Sequence, residues 1–409
     1  MSWTAIRLKH IARVGYGLGQ PPTLSDSGIP ILRATNIKRG KFASDGLIFA
    51  AKEDLPLDRA PLLRAGEILV VRSGAYTGDS ALVTSKWVGS APGYDLRVTP
   101  TSAADPAYVA YCLLSSVTLD QVDLAKARAA QPHLNAEDLG EVSLRLPPLE
   151  EQRRITDFLD TETTRIDRLV SIRQRQAESL SDALHSAATR LAGRPQQSGR
   201  EVFQLRRAVD IVQTGATPSE LLQEGSGNDF IPWYTPAAMD GSLGLGKADK
   251  AVHATNIQHT PRFPAGSVLI VGIGESLGKV ADLDHEATGN QQITAITPSR
   301  MMDRRFLAWQ LFVAHDEIRN WAQYSRIRIL NNDSLKDFPV WLPEKTQQVR
   351  ARKELDQRLA VLTAFQATAT RFAHLASERR QALITAAVTG QIDVTTAGPH
   401  LPSPGGAST

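Results

Sequence analysis

Cysteine is nearly absent from this sequence: Cys112 is the only one among 409 residues. A single thiol excludes an internal disulfide and any zinc site built from several cysteines. Cys112 lies in the apolar stretch YVAYCLLS, which favours a buried core thiol over a nucleophile. Redox chemistry is therefore not expected of this chain.

Long apolar runs are absent as well. No segment approaches the roughly 18 uninterrupted apolar residues that a membrane-spanning helix requires. The first residues, MSWTAIRLKHIARVG, carry charges where a secretory signal would be apolar. An apolar content of 42% with 22% charged residues is typical of a globular protein, so we expect a cytoplasmic protein with no membrane partner.

Known catalytic motifs are missing too. The stretch GIGESLGKV resembles a phosphate-binding loop, but five residues instead of four separate Gly272 from Gly278, and Val280 stands where Ser or Thr is required. The same stretch has one residue too many for a dinucleotide-binding glycine motif. The nine histidines lack the spacing of metal ligands. We therefore expect no catalytic residue, no metal site and no cofactor.

The sequence does contain an internal repeat. Three stretches of the first half recur in the second half at offsets of 196 to 200 residues: RAGEILVV from Arg64 and PAGSVLIV from Pro264, YVAYCLL from Tyr108 and FLAWQLF from Phe306, and HLNAEDL from His133 and ILNNDSL from Ile329. Small drifts of an offset are what loop insertions produce. We therefore predict two related globular units of about 145 residues, each followed by a long helix.

The globular units combine two kinds of pattern. Short β-branched runs bounded by Gly or Pro, such as 68–71 and 268–271, indicate buried strands. The segments 106–116 and 304–321 have the spacing of apolar residues that is typical of helices. The sequence thus predicts an α+β fold.

Two long segments, about 150–192 and 346–388, follow a seven-residue repeat. The first ladder is Leu159, Ile166, Leu180 and Ala187, and the second is Leu355, Leu362, Ala369, Ala376 and Leu383. Apolar residues at this period, with charges between them, predict helices on the order of 65 Å long that pack along another helix. Arg173, Gln176 and Arg379 interrupt the stripes, so an alternative is a solvated helix docked on its own domain.

A pair of such helices could run in either direction relative to each other. An antiparallel pair would place the two globular units at opposite ends, related by a pseudo-twofold axis. Two related units held at a fixed distance suit recognition of two sites on a long regular molecule, of which duplex DNA is the obvious case.

The junctions between the globular units and the helices carry a family resemblance. LPPLEEQRRI (146–155) precedes the first helix, LPEKTQQVRA (342–351) precedes the second, and RRQALITAAVTGQIDV (379–394) closes it. With TGATPS (214–219), IPWYTPAAM (231–239) and PAGSVLIVGIGESLGKVA (264–281), this order resembles the specificity (S) subunit of type I restriction-modification systems, the HsdS family. The second junction departs from the first, because it lacks the second proline and the glutamate pair.

The resemblance implies an organisation and a function. It implies an antiparallel coiled coil of two helices that fixes the spacing between two target recognition domains, each of which recognises one half of a bipartite asymmetric DNA site. The expected segments are a first recognition domain at 1–147, a central helix at 148–195, a second recognition domain at 196–343, a C-terminal helix at 344–392 and a disordered tail at 393–409.

Partners are implied in the same way. These are double-stranded DNA, two methyltransferase (modification) subunits that bind S-adenosylmethionine and methylate adenine, and restriction subunits that translocate and cut DNA using ATP. The chain itself would be a non-catalytic subunit. No Asn/Asp-Pro-Pro-aromatic motif of aminomethyltransferases is present in its sequence.

Candidate DNA contacts were sought in loops with Arg, Lys, Asn or Gln, whose side chains can pair with base edges or bind phosphate. A formal net charge of +3 permits this role without requiring it. The candidates in the first unit are Asn36, Lys38, Arg39, Arg72, Tyr76, Thr77, Arg128, Gln131 and His133, and those in the second are Ser276, Lys279, Gln291, Gln292, Arg326 and Arg328. Each could equally be a solvated surface residue.

Two other function classes stay open from the residues alone. One is a non-catalytic scaffold whose helices join protein partners and whose globular units bind peptides or proteins. The other is an enzyme with an unrecognised site, for which the sequence offers no cluster of candidate residues. The Lys and Arg residues in corresponding loops of both units favour DNA over either alternative.

Overall fold

The computed structural model describes residues 3–127, 133–193, 201–218, 220–222, 229–248, 250–257, 260–324 and 327–394. The chain divides into two compact units. Unit 1 comprises Met1–Arg173 with Thr370–Thr409, and unit 2 comprises Gln174–Ala369. Most of the predicted tail, residues 395–409, lies outside the described residues.

Unit 1 is built on a four-stranded antiparallel sheet with smaller sheets beside it. Its strands are β1 (Thr4–Arg7), β2 (Ala12–Tyr16), β3 (Ile29–Leu32), β4 (Ile37–Lys38), β5 (Lys41–Phe42), β6 (Ile48–Ala50), β7 (Ile68–Val70), β8 (Ser80–Leu82), β9 (Ala91–Pro92), β10 (Leu96–Pro100) and β11 (Ser143–Leu146). The main sheet has the order β2-β10-β7-β8, a second has the order β6-β3-β9, and β1-β11 and β4-β5 form pairs. β7 is buried on both faces, as its apolar run predicts.

The helices of unit 1 cover this sheet. They are α1 (Pro106–Leu114), α2 (Ser116–Ala127), α3 (Ala136–Gly140), the first part of α4 (Leu149–Ala188) and the last part of α8 (Lys345–Thr389). Asp105 caps α1 and Asn135 caps α3, because each side chain accepts backbone N–H bonds of the first turn. The single thiol, Cys112 on α1, is 2% exposed, and burial raises its pKa to about 12. The predicted buried core thiol is confirmed.

Unit 2 has corresponding elements in the same order. Its strands are β12 (Val202–Gln204), β13 (Val209–Thr214), β14 (Phe230–Tyr234), β15 (Lys250–His253), β16 (Ser267–Val271), β17 (Val280–Leu283), β18 (Thr288–Gly289), β19 (Ile293–Pro298), β20 (Gln323–Tyr324), β21 (Arg328–Ile329) and β22 (Pro339–Trp341). Its helices are the end of α4, α5 (Arg304–Val313), α6 (His315–Trp321), α7 (Asn332–Asp337) and the first part of α8 (Lys345–Thr389).

The sheets show that the repeat extends to strand register. The main sheet of unit 2 has the order β13-β19-β16-β17, and β12-β22 and β15-β14-β18 match β1-β11 and β6-β3-β9 of unit 1. The pairs β4-β5 of unit 1 and β20-β21 of unit 2 stand at different places in the chain order. Leu96 of β10 pairs with Tyr16 and Val70, whereas Thr294 of β19 pairs with Thr214 and Ile270. The predicted duplication and α+β class are confirmed.

The predicted single helix at 304–321 differs in detail. It is interrupted at Ala314, which separates α5 from α6. The apolar spacing continues across the break, so periodicity alone does not reveal it.

A buried glutamine joins each long helix to its globular unit. In unit 1, the Gln152 side chain accepts the backbone N–H of Asp105 (2.7 Å) and donates to the carbonyl of Pro147 (2.8 Å). In unit 2, Gln348 accepts from Asp303 (2.6 Å) and donates to Pro343 (2.8 Å). Both glutamines are nearly inaccessible to solvent, which explains physically why the two junction sequences recur.

About two turns further along, an aspartate on each long helix accepts a hydrogen bond from an aromatic side chain. The Tyr111 hydroxyl donates to Asp160 on α4 (2.6 Å), and the Trp309 indole donates to Asp356 on α8 (3.0 Å). Tyr111 and Trp309 hold equivalent positions in α1 and α5. The same attachment is therefore made twice with different donors.

Within each unit, the two long helices run past each other in opposite directions. In unit 1, Ile155 and Leu159 near the start of α4 share a core with Ile384 and Ala387 near the end of α8. In unit 2, the end of α4 shares a core with the start of α8, through Leu184, Ala187, Ala351, Leu355 and Leu362. The predicted helices and their apolar ladders are confirmed.

Candidate nucleic-acid interface

The loop that follows the central buried strand has the same conformation in both units. In unit 1, Val71 accepts the N–H of Gly78 (2.8 Å) and donates to Asp79 (2.8 Å); in unit 2, Val271 accepts from Gly278 (2.9 Å) and donates to Lys279 (2.9 Å). The glycines at these turns have φ near +90°, a region that glycine adopts without strain. The sequence stretch that imitates a phosphate loop is therefore a structural turn.

The turn presents different side chains in the two units. Tyr76 projects from the turn of unit 1 and is 59% exposed. Ser276 takes the same position in unit 2 and is half-buried. Lys279 replaces Asp79, and its ammonium group lies 3.5 Å from the carbonyl of Met239. The same backbone turn therefore carries different surface side chains in the two units.

The structure brings two of the loops that carry predicted contacts in unit 1 together at one cleft of about 790 Å³. Lys38 and Arg39 from the first loop, Tyr76 and Thr77 from the second, and Lys126 from α2 line this cleft. Asp79 and Asp123 also line it. Burial raises the pKa of Asp79 above its usual value, and the nearby Arg39 opposes that shift. The cleft therefore combines cations, an exposed ring and hydroxyl groups, which suit contact with a sugar-phosphate backbone.

Asn36 does not lie on this surface. Its side chain is buried, accepts the N–H of Arg33 (3.1 Å) and donates to the carbonyls of Ala43 (3.2 Å) and Asp45 (2.9 Å). All of these bonds organise the loop itself. The amide chemistry that made Asn36 a candidate for DNA contact thus stabilises the loop that carries Lys38 and Arg39.

Arg72 occupies a different part of unit 1, at the end of β7. Its guanidinium lies 5.1 Å from the ring centroid of Tyr16 and 4.5 Å from that of Tyr94, distances typical of cation–π contacts. The backbone is fixed on both sides, because Arg72 N–H donates to Asp95 (3.3 Å) and its carbonyl accepts from Leu134 (2.8 Å). His133 pairs with Ser73 beside it.

Asp95 lies beneath this stack. Its side chain is almost fully buried. Burial raises its pKa to about 6, although the Arg72 backbone hydrogen bond and the Arg72 charge oppose the shift. Asp95 is therefore a carboxyl group that titrates close to neutral pH at the edge of the candidate interface.

The equivalent place in unit 2 is built from amides. Tyr16 and Arg72 correspond by strand register to Thr214 and Gly272. The Asn290 side chain donates to Gln292 (3.0 Å), and Thr217 donates to Gln291 (2.9 Å). Gln291 is exposed and Gln292 is half-buried. Carboxamides of this kind can pair with adenine in the major groove.

Arg328 lies next to this amide group. It belongs to β21, and its backbone carbonyl accepts the N–H of Gly274 (3.3 Å). Its guanidinium donates to the carbonyl of Arg319 (2.7 Å), so part of its hydrogen-bonding capacity serves the fold. Three other predicted contacts, Arg128, Gln131 and Arg326, lie outside the described residues.

Several contributors to these surfaces were not predicted. Tyr16, Tyr94, Asp95 and Lys126 were missed because sequence distance hides their proximity to Arg72 or to the cleft. Gln152 and Gln348 were missed although they sit at the same offset as the junctions that surround them. That repetition was the available signal.

Two features are absent from the part of the chain that the structure describes, a metal-binding cluster and a membrane-spanning helix. No group of three or more His, Cys, Asp or Glu side chains in that part of the chain is placed to hold a metal ion. Among those residues, no helix has the length and apolar character that crossing a bilayer requires.

Comparison with known proteins matches this architecture to a family. The family model for the type I restriction modification DNA specificity domain matches residues 2–176 and 198–368. The specificity subunit of the type I restriction enzyme StySPI of Salmonella potsdam is 26% identical over 146 residues, which are 35% of this chain and 31% of that protein. The chain thus aligns with about a third of that relative's length.

Two solved structures share the fold. A chain from a study of complex assembly and conformational transition of the type I R-M system has a TM-score of 0.75 and 19% identity, with 96% of this chain and 98% of that chain covered. The HsdS subunit from Thermoanaerobacter tengcongensis has a TM-score of 0.54 and 19% identity, with 96% and 97% covered. Because the family match extends through both repeats, this chain belongs to the family of type I restriction-modification DNA specificity proteins.

Proposed function

We propose that each globular half recognises one part of a bipartite, asymmetric DNA site. The observation that carries this proposal is a duplicated frame with divergent surface residues. The same turn follows β7 and β16, yet tyrosines and an arginine surround it in unit 1, whereas amides surround it in unit 2. Identical surfaces would suit a palindromic site, and different surfaces suit two unrelated half-sites.

The contact surfaces follow from exposure and chemistry. In unit 1, the DNA sugar-phosphate backbone is contacted by Lys38, Arg39, Tyr76 and Thr77. The bases are contacted by Arg72 and His133. In unit 2, Ser276, Lys279, Gln291, Gln292 and Arg328 form the corresponding surface. Arg128, Gln131 and Arg326 stay in the set on sequence grounds, and Asn36 is left out because its side chain is buried.

The long helices act as a spacer and as a docking surface. With 40 and 45 residues, α4 and α8 would span about 60 to 70 Å. The recognition domains extend over 1–147 and 196–343 and the helices over 148–195 and 344–392, in a pseudo-twofold arrangement. The Gln152 and Gln348 contacts support this role, because each fixes a helix rigidly to its recognition domain.

The chain acts through other subunits. Two modification subunits that bind S-adenosylmethionine dock on the helices and methylate adenine, and restriction subunits translocate and cut DNA with ATP. This chain supplies specificity and no catalytic group, and the complex works in the cytoplasm on double-stranded DNA.

The test is a map of methylated adenines in the host genome with and without this gene. One split motif, with two unlike halves separated by a fixed spacer, should disappear on deletion. The purified complex should also lose DNA affinity steeply between low and high salt, because each neutralised phosphate releases counterions. An unchanged methylation map together with salt-independent binding would favour the alternative of a protein-joining scaffold.

A further inference from the structure

The Tyr16–Arg72–Tyr94 stack has features that the stability of the fold does not explain. Among the described residues, Arg72 Nε is buried and has no hydrogen-bond partner. Leaving a buried donor unpaired is unfavourable for folding. The two tyrosine rings that hold the guanidinium are 49% and 53% exposed. The two rings therefore hold the guanidinium group at the surface in a fixed orientation, and internal hydrogen bonds do not fully pair its donors.

Arg97 of the same unit shows what a structural arginine looks like. Its Nε and Nη2 donate to both carboxylate oxygens of Glu67 (2.5 to 2.9 Å), and its Nη1 donates to the carbonyl of Pro61 (2.6 Å). Glu67 and Arg97 side chains are 6% and 11% exposed. Arg97 closes a buried ion pair, whereas the Arg72 guanidinium lies against two tyrosine rings and its Nε has no partner among the described residues.

The position of Arg72 is also fixed by the sheet. Tyr16 ends β2, Arg72 follows β7 by two residues, and Tyr94 precedes β10 by two residues, and these strands are neighbours in register through Leu96. The three side chains therefore emerge at the same end of the sheet. With the backbone bonds to Asp95 and Leu134, the guanidinium plane is set before any ligand arrives, which reduces the entropy lost on binding.

We propose that Arg72 is a specificity-determining residue that pairs through its two Nη groups with O6 and N7 of a guanine in the half-site of unit 1, with Tyr16 and Tyr94 as positioning residues. This inference rests on the proposed function. A planar guanidinium with two parallel donors matches the two acceptors of guanine in the major groove, and no other base presents that pair. A phosphate contact would need only the charge.

Unit 2 provides an internal contrast. Thr214 and Gly272 hold the positions of Tyr16 and Arg72, so this guanine contact belongs to one half-site alone. Changes at Arg72 should therefore relax one half of the bipartite motif and leave the other half intact.

The first experiment places Arg72→Lys and Arg72→Gln in the host gene and maps methylated adenines. Both variants should accept other bases at one guanine of one half-site, with discrimination reduced about tenfold to hundredfold. Arg59→Gln is the matched control, since Arg59 is an exposed arginine of the same unit paired with Asp58, and it should leave the motif unchanged. Glutamine lacks the charge and the two parallel donors of the guanidinium, so an unrelaxed motif in Arg72→Gln, accompanied by a smaller salt dependence of binding, would assign Arg72 to phosphate and overturn the proposal.

The second experiment leaves the protein unaltered, so it does not depend on the folding of the variants. The wild-type complex methylates duplexes in which each guanine of the motif is replaced in turn by 7-deazaguanine, which lacks the N7 acceptor. One substitution should reduce methylation by the wild-type complex about fivefold or more. A half-motif without guanine, or no sensitive guanine, would overturn the proposal while leaving the bipartite motif, and with it the proposed function, in place.

Discussion

Units 1 and 2 have the same backbone architecture and differ in the side chains that this architecture exposes. The sheet orders, the helix caps and the turn after the central strand coincide. At the shared sheet end, unit 1 carries Tyr16, Arg72 and Tyr94, whereas unit 2 carries Thr214, Gly272 and an amide group around Gln292. The connection from β18 to β19 in unit 2 is also one residue longer than the connection from β9 to β10 in unit 1. Three residues separate Pro92 from Leu96, and four separate Gly289 from the equivalent Thr294.

This difference shows where the sequence is free to change. Gln152 and Gln348 make the same pair of bonds, because the helix must be attached identically in each half. The sheet end makes no such demand on its side chains, since Tyr16 and Tyr94 are about half exposed to solvent. Different side chains at the sheet end, on the same backbone architecture, are what separate recognition by each half requires.

The largest expected effect concerns the frame of unit 2. Trp309→Ala removes a fully buried indole and its bond to Asp356, and the free energy of unfolding should fall by about 3–5 kcal/mol. Tyr111→Phe, at the equivalent position of unit 1, removes only a hydroxyl bond to Asp160 and should lower it by about 1 kcal/mol. Urea denaturation of the purified chain measures both. Equal losses would contradict the packing described for Trp309.

The next effect is a pH dependence that arises from Asp95 of unit 1. The pKa of Asp95 rises from 3.8 to about 6 on folding, so the native state keeps a proton that the unfolded chain loses between these values. Stability contributed by this group is present below pH 4 and is lost as pH rises to 6, a change on the order of 2–3 kcal/mol.

Asp95→Asn tests this assignment. The difference between the wild type and the variant in unfolding free energy should change between pH 4 and pH 7.5, with the variant relatively more stable at the higher pH. Denaturation at a series of pH values measures it. A constant difference would mean that Asp95 titrates normally in the folded protein.

The attachment of the helices predicts a matched pair of smaller effects. Gln152→Ala and Gln348→Ala each remove the partner of a backbone N–H and of a proline carbonyl. Gln348→Ala also removes a bond to the carbonyl of Met301. Each variant should lose about 1–3 kcal/mol of unfolding free energy, and the two losses should be similar. A marked loss in one variant with none in the other would break the equivalence of the junctions.

The smallest effects should come from the basic cleft. Lys38→Ala and Arg39→Ala should weaken DNA binding evenly across sequences and reduce the slope of log affinity against log salt by about 1 each. The exposed Arg59→Ala serves as the control and should leave the slope unchanged. Fluorescence anisotropy of the complex at several salt concentrations measures these slopes, and a change in the recognised motif would contradict a phosphate-binding role.

Much of the frame could be predicted from the sequence. The offsets of 196 to 200 residues identified the duplication, and the seven-residue ladders placed α4 and α8 within one to four residues of their observed ends. Apolar periodicity and repeats are local signals, so they survive without a structure. The break at Ala314 was missed because the apolar spacing continues through it.

The candidate site was harder to predict. Arg72 was identified by its chemistry, but the rings of Tyr16 and Tyr94 reach it only through the register of three strands that are distant in sequence. Asn36 had suitable chemistry and is nevertheless buried. The residue type alone does not distinguish an asparagine that stabilises a loop from one that binds a base. Burial and register decide between such roles, and neither is local.

The central claim is that each half recognises its own part of the DNA site independently of the other. It is tested most directly by replacing residues 1–147 with the equivalent domain of a family member of different specificity and mapping methylated adenines with the full complex. The account predicts a new sequence in one half of the motif, with the other half and the spacer length unchanged. A motif altered in both halves, or in neither, would contradict it.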